Sequence, residues 1–336
     1  MLADRNFRLQ FFIPPDKSFL LAYWPNDQKS LPERLGVSLT LSAVLECRYQ
    51  IRTAPGKGVG MFAMEDIAPG AIVARERPIL VAPLMLSWDS IERDISSNMP
   101  EHVREAFFAL HNCKPPSFAR VHGIINTNAI NIDDMPGQTD FGPYVAVLKD
   151  ICRANHSCNP NAIYRWDFAT FTGALHARRA IAAGEEVSIS YIGAHMPYAE
   201  RHERLRDKYF FVCKCPVCNL PPAARAEDDR ARQELTFVRG LLEAGFYDEF
   251  APDVPKQLAM AKMLEDASDC NVSTWRAVAG KLVRAYCTLG ERAEAVKWAR
   301  RAMEMTLVDT GTDGGWAAVV AAPENTDVWR SKVVDK

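Results

Sequence analysis

Three short stretches carry side chains whose types and spacing could do chemistry. The densest is Cys213-Lys214-Cys215-Pro216-Val217-Cys218, three thiols within six residues. A structural zinc site takes four ligands, usually as a tetrahedron with Zn–S near ~2.3 Å, and this cluster offers three of them. The chain holds nine cysteines, an odd count, and in a reducing compartment such crowding favours a metal over disulfides. The competing reading is three buried thiols packed as small hydrophobes. The second stretch is Asn155-His156-Ser157-Cys158-Asn159-Pro160-Asn161. Alone it is a polar loop, a turn held by Asn and Pro. The third is Gly184-Glu185-Glu186-Val187-Ser188-Ile189-Ser190-Tyr191, a turn entering a strand in which Val187, Ile189 and Tyr191 alternate onto one face. The adjacent carboxylates invite a general-base reading. At a glycine turn a solvated or turn-stabilising role is the better expectation for both.

The elements that must position these groups are legible in outline. Residues 1–45, broken by Pro14, Pro15, Pro25 and Pro32, read as an N-terminal extension packed on the body. Residues 49–52 predict a strand, followed by a turn rich in glycine over 55–60. Short strands are expected at 72–74, 79–81, 162–166, 174–177 and 187–192. Val103, Phe107, Leu110 and His111 recur at helical spacing behind Pro100 and Glu101, which predicts a helix over 99–112. Pro221-Pro222-Ala223-Ala224 and the charged run 225–232 look like a linker. Beyond it, Leu235, Val238, Leu241 and Leu242 form one helical stripe. Trp275, Val278, Leu282, Tyr286 and Leu289 form a second, stopped by Gly290. Ala295, Trp298, Ala299, Ala302 and Met303 form a third. The last two predict one helix–turn–helix pair of tetratricopeptide (TPR) type, which is not an array. The tail after Asp309 reads as irregular.

Taken together, in this order and with these gaps, the three stretches and the glycine turn resemble the SET domain over residues 47–218. Tyr209-Phe210-Phe211-Val212 and Ile125-Asn126-Thr127-Asn128 narrow the likeness to the SET-and-MYND group and related fungal SET proteins. One departure is clear: no cysteine lies between Val81 and Asn112, so the MYND zinc finger of that group, and any recruitment through it, is not expected. The resemblance implies an α+β fold of short β-sheets with a knot-like core over 46–193 and a helical insert at about 85–125. A zinc-binding post-SET segment over 194–220 and a helical, TPR-like region over 225–336 would follow.

It also implies a fourth zinc ligand, Cys158, with Cys152 or Cys113 as possible substitutes. S-adenosylmethionine would lie against the backbone of Lys57, Gly58 and Val59, against Asn126, Asn155 and His156, and against Tyr191, Tyr209 and Phe211. The amide of an Asn offers donors and acceptors together, which suits that role. His156 reads as a hydrogen-bonded structural residue that touches the cofactor without titrating. The implied activity is methyl transfer to a lysine side chain of a protein, with Tyr191 as the catalytic residue and Tyr209 and Phe211 as channel wall. A free lysine titrates near ~10.4. An apolar channel lowers that value, aromatic walls attract a cation, and alignment supplies much of the rest. Two other outcomes stay open: a SET-like scaffold without activity, and a methyltransferase acting on a small amine.

Bulk composition narrows the partners. Apolar residues make up 48% of the 336 and the formal net charge is -2. A full core is therefore available, and nucleic-acid binding through bulk charge is not expected. No apolar run reaches bilayer length. Asp4, Arg5 and Arg8 come early and Pro14 and Pro15 cut the apolar cluster at 11–13, unlike a secretory signal. The expectation is an intracellular protein, nuclear or cytoplasmic, monomeric, with a lysine-containing peptide as partner and no membrane association.

Overall fold

A computed structural model describes residues 7–12, 20–25, 47–83, 88–132, 143–193, 195–243, 254–266 and 272–331. Two strands open it, β1 (Phe7–Phe12) and β2 (Leu20–Pro25), paired antiparallel. β3 (Tyr49–Ala54), β4 (Gly58–Ala63), β5 (Ile72–Glu76) and β6 (Leu80–Pro83) follow. Helices α1 (Trp88–Asn98), α2 (Glu101–Phe108) and α3 (Arg120–Asn128) come next. Then come β7 (Ile130–Ile132), β8 (Tyr144–Val147), a 3-10 turn (Ile151–Arg153), β9 (Asn155–His156), β10 (Ala162–Asp167), β11 (Thr172–Ala177) and β12 (Glu186–Ile189). The chain finishes in helices α4 (Tyr198–Tyr209), α5 (Pro222–Glu243), α6 (Val254–Asp266), α7 (Val272–Leu289), α8 (Arg292–Thr310) and α9 (Trp316–Ala321).

The strands form three small sheets, ordered β1-β2-β6-β8-β7, β10-β11-β5 and β3-β4-β12-β9. Strands β6, β8 and β11 are buried along their whole length, as strands covered on both faces must be. Their core joins Met61, Val73, Tyr144, Leu175 and Val187. A second core, with Ile91, Ile95, Val103, Phe107, Val121 and Ile124, seats α1 to α3 against Leu80, Ala82 and Val147. This helical insert agrees with the expectation. The helix predicted over 99–112 runs only from Glu101 to Phe108, and Leu110 stays buried just past its end.

One expectation gains detail and two need correcting. Part of the N-terminal extension is sheet: β2 pairs in parallel with β6, Leu21 opposite Leu80. Alternating apolar residues between prolines formed strands because β6 offered an edge to cover. The supposed linker is the start of α5. Ala, Arg and Glu are strong helix formers and proline is tolerated in a first turn. Two of its charges are buried rather than solvated: Arg232 is 1% exposed and its Nε donates to Asp228 at 2.8 Å. The tail is not irregular throughout, since α9 follows Gly311 and the Trp316 indole N–H donates to Thr306 Oγ1 at 3.0 Å.

The expected stripes of α7 and α8 meet in a third core built on Trp275, Val278, Leu282, Trp298, Ala299 and Ala302. The rings of Trp275 and Trp298 stack 6.0 Å apart. Leu289 is exposed instead, and Gly290, at φ +73°, ends α7 as expected. The side chains of Leu235, Val238, Leu241 and Leu242 lie outside the described residues. No helix among the described residues is long and apolar enough to cross a membrane.

Candidate functional site

The third sheet brings together chain segments far apart in sequence. β12 pairs antiparallel with β4 and parallel with β9, so Ser188 sits opposite Asn155 and Ile189 opposite His156. The strand is shorter than expected. Val187 and Ile189 are buried on one face, but the ladder ends at Ile189, and Tyr191 lies in the segment beyond it. That release lets Tyr191 turn out of the sheet.

Tyr191 is held from both ends. Its backbone N–H donates to His156 Nδ1 at 3.0 Å and its hydroxyl donates to the Ala154 carbonyl at 2.8 Å. Burial pushes the Tyr191 phenol above its ordinary range, with Tyr209 adding to it, so the phenolate form is disfavoured. Its proton is committed to Ala154, and its oxygen lone pairs are left to accept. The Tyr209 ring lies 5.0 Å from that of Tyr191, and its hydroxyl donates to the Tyr191 carbonyl at 3.4 Å. Burial moves the Tyr209 hydroxyl up to about 12. Phe211 lies 6.1 Å from His156, ring to ring. Between them, Phe210 takes a left-handed conformation, φ +60°, as the cap of α4. A non-glycine residue there costs roughly 1–2 kcal/mol. It turns the chain sharply between Tyr209 and Phe211, a strain that no residue type announced.

A second group gathers around the glycine turn. Gly56 and Gly58 have φ of +73° and +80°, and a side chain added at either would meet nothing within 4 Å. The turn backbone is open on that side. Lys57 Nζ donates to Glu186 Oε2 at 2.6 Å, and Asn155 Nδ2 donates to Glu186 Oε1 at 2.8 Å and to the Val59 carbonyl at 3.0 Å. A Cβ at Gly60 would come within 2.9 Å of both Asn155 Nδ2 and Glu186 Oε1. Glycine is required there for β4 to pass so close. The sequence reading missed Glu186 as an organising residue. Glu185 fits its expected turn-stabilising role, accepting from Ala182 N and Arg179 and from the buried Asn161 amide. Glu186 instead ties Lys57 to Asn155. Its one signal was position, opposite in phase to buried Val187.

The expected site residues thus fall into two sets that meet at Tyr191. A cavity of about 1280 Å³ is lined by Asn126, Tyr191 and Tyr209. Lys57, Gly58, Val59, Asn155, His156 and Phe211 do not line it. Asn126, on α3, spends its amide N–H on the His122 carbonyl at 3.0 Å, and no hydrogen bond among the described residues ties it to Lys57 or Asn155.

The four expected thiols do converge. The sulfurs of Cys158, Cys213, Cys215 and Cys218 all lie within 4.8 Å of one another. Cys158 Sγ is 3.4 Å from Cys218 Sγ and 4.0 Å from Cys213 Sγ. A tetrahedron with ~2.3 Å metal–sulfur bonds has edges of about 3.8 Å, so the donor set fits a four-coordinate zinc-sized ion. Cys152 and Cys113 are occupied elsewhere: the Cys152 thiol donates to the Asn128 carbonyl at 2.9 Å, and Cys113 contacts Thr127 Oγ1 at 3.3 Å. Arg232 of α5 donates to the Cys158 carbonyl at 3.2 Å, fastening the helical region to the same loop.

The sequence profile of the SET domain family matches residues 58–192, the span that holds Asn155, His156 and Tyr191. The chain contains a SET domain. Its relatives include histone-lysine N-methyltransferase set5 of Schizosaccharomyces pombe, 30% identical over 190 residues and 56% of each chain. N-lysine methyltransferase SMYD2-B of Xenopus laevis is 34% identical over 148 residues, 43% of this chain and 30% of that one. Human N-lysine methyltransferase SMYD2 is 33% identical over 150 residues, 44% and 31% of the two chains. The SET-domain chain therefore spans about half the length of the first relative and about a third of the other two. The methyltransferase domain of human histone-lysine N-methyltransferase SETMAR aligns over 44% of this chain and 46% of its own, at 20% identity and a TM-score of 0.27. That superposition is too loose to bear on the site.

Proposed function

We propose that the protein is an S-adenosylmethionine-dependent methyltransferase acting on lysine side chains of a protein. The observation that carries this reading is Tyr191, which borders the large cavity while its backbone is fastened to His156. The relatives named as lysine methyltransferases support it. When bound, S-adenosylmethionine supplies an electrophilic sulfonium methyl group. The open turn at Lys57, Gly58 and Val59 would let such a polar ligand approach its backbone, with the Asn155 amide, whose nitrogen is held by Val59 and Glu186, presenting its oxygen beside it. The Tyr191 oxygen, its proton held by Ala154, accepts from the amine of the incoming lysine and orients the nitrogen lone pair. Tyr191 and Tyr209 give that amine an apolar, aromatic lining, which disfavours the ammonium and favours a methylated cation. The lysine proton leaves to solvent, and no side chain has to act as a base.

Zinc on Cys158, Cys213, Cys215 and Cys218 would pin the segment carrying Tyr209 and Phe211 to the loop carrying His156. The accompanying division puts catalysis in 46–193, the metal clamp in 194–220 and a TPR-like helical unit in 225–336, in an intracellular protein. The deciding experiment incubates the purified chain with methyl-labelled S-adenosylmethionine and a cell lysate. Label should appear on protein lysines. Label on small molecules alone, or none at all, overturns the reading.

A further inference from the structure

The cavity beside Tyr191 has a wall of positive charge that its own carboxylates do not neutralise. Lys114, Arg204 and Lys208 all line it. They come from two places, the segment after α2 and helix α4, and are drawn together because Lys114 Nζ donates to the Lys208 carbonyl. Lys208 Nζ lies 5.2 Å from the Tyr209 ring centre and Lys114 Nζ lies 6.0 Å from it, and that ring is the neighbour of Tyr191. Glu203 and Asp207 line the same cavity, yet neither forms an ion pair with the three cations among the described residues. Burial first, and then the charges of Lys114 and Arg204, hold the Lys208 ammonium below its ordinary range. Basic residues in the last turn of a helix complement its dipole, which accounts for Lys208. It accounts neither for Arg204, a turn earlier, nor for Lys114 from a different segment. The chain as a whole is slightly acidic, at -2, so the patch is local.

We propose that this wall selects substrates in which the target lysine is flanked by Asp or Glu. The inference rests on the lysine-methyltransferase reading above and adds the substrate's charge pattern to it. A lysine among other basic residues brings several cations against Lys114, Arg204 and Lys208 and is repelled. Carboxylates on either side of the target satisfy the wall and carry the lysine in. The same wall then favours the neutral amine that transfer requires.

The test uses the full zinc-bound chain and two labelled peptides of equal length with one lysine each, flanked by Asp and Glu or by Arg. Anisotropy should show the acidic peptide binding roughly tenfold more tightly at low salt, with the gap closing as ionic strength rises. Charge reversal in Lys114→Glu with Arg204→Glu should remove or invert that preference. Arg204→Gln alone, at an exposed position, should reduce it if the double variant folds poorly by circular dichroism. Equal binding, tighter binding of the Arg-flanked peptide, or a preference unaltered by these changes overturns the inference. Methyl transfer followed in parallel separates the two claims. Transfer without charge preference removes the selectivity and leaves the enzyme. Preference without transfer removes the enzyme and leaves the acidic docking site.

Discussion

His156 stands between Tyr191 and Cys158: its Nδ1 accepts the Tyr191 backbone N–H at 3.0 Å and its Nε2 lies 3.3 Å from Cys158 Sγ. Because Nδ1 accepts, Nε2 carries the proton and donates to the sulfur. A single imidazole therefore couples the thiol cluster to the residue that borders the cavity. Replacing His156 with Phe keeps the ring volume and removes both hydrogen bonds. Leaving a buried N–H unpaired costs about 1–3 kcal/mol. A lower urea midpoint is expected together with slower methyl transfer; unchanged values for both would mean the imidazole couples nothing.

Tyr191→Phe removes the hydroxyl held by Ala154 and keeps the ring against Tyr209. Loss of alignment of this kind costs about 10²-fold. The expected result is a fall in kcat of that order with S-adenosylmethionine binding, read by calorimetry, largely retained. A full-rate Phe variant would take the catalytic role away from Tyr191.

Cys215→Ser removes one of the four converging sulfurs. Metal analysis should give about one zinc per purified wild-type chain and much less in the variant, since structural zinc contributes about 10–16 kcal/mol of apparent binding free energy in small zinc domains. Folded, metal-free wild-type protein would argue against the clamp.

Asp228 accepts from Arg232 at 2.8 Å and faces Arg201 at 3.5 Å, with both arginines almost fully buried. Asp228→Ala takes the shared carboxylate from both buried cations, leaving Arg201 with Asp229 at 3.7 Å and Arg232 with the Cys158 carbonyl, and breaking a buried pair costs about 3–5 kcal/mol. Calorimetric melting should move down by several degrees. A shift near zero would show that α5 is not anchored through this carboxylate.

Glu76 accepts the backbone N–H groups of Asp150 and Ile151 at the start of the turn that leads to Asn155. Desolvation, only partly offset by the Ile151 hydrogen bond, moves its pKa from 4.5 up to about 7. The folded state therefore holds a proton that the unfolded chain releases between these two values. Its stabilising contribution is fully present below about 4.5 and is lost as pH rises through about 7. Urea unfolding at a series of pH values should show that decline. Glu76→Gln should flatten it, and an equally steep decline in the variant would assign it to other groups.

The three thiols at 213–218 stood out by residue type alone, whereas Cys158, Asn155, His156 and Tyr191 were read through the resemblance to the SET domain. A dense thiol cluster has few other uses, and α2 and the α7–α8 pair followed from apolar periodicity. Glu186, Phe210 and the 225–232 run were not legible, since each depends on a partner supplied by a distant segment. A glutamate after a turn looks solvated until Asn155 and Lys57 arrive beside it. A charged run looks like a linker until Arg201 buries against it. Local sequence determined which groups could ligate, accept or stack. The tertiary structure alone decided which of them meet, because the parallel pairing of β9 with β12 brings 155–158 beside 188–191, and burial then sets what each group can do there.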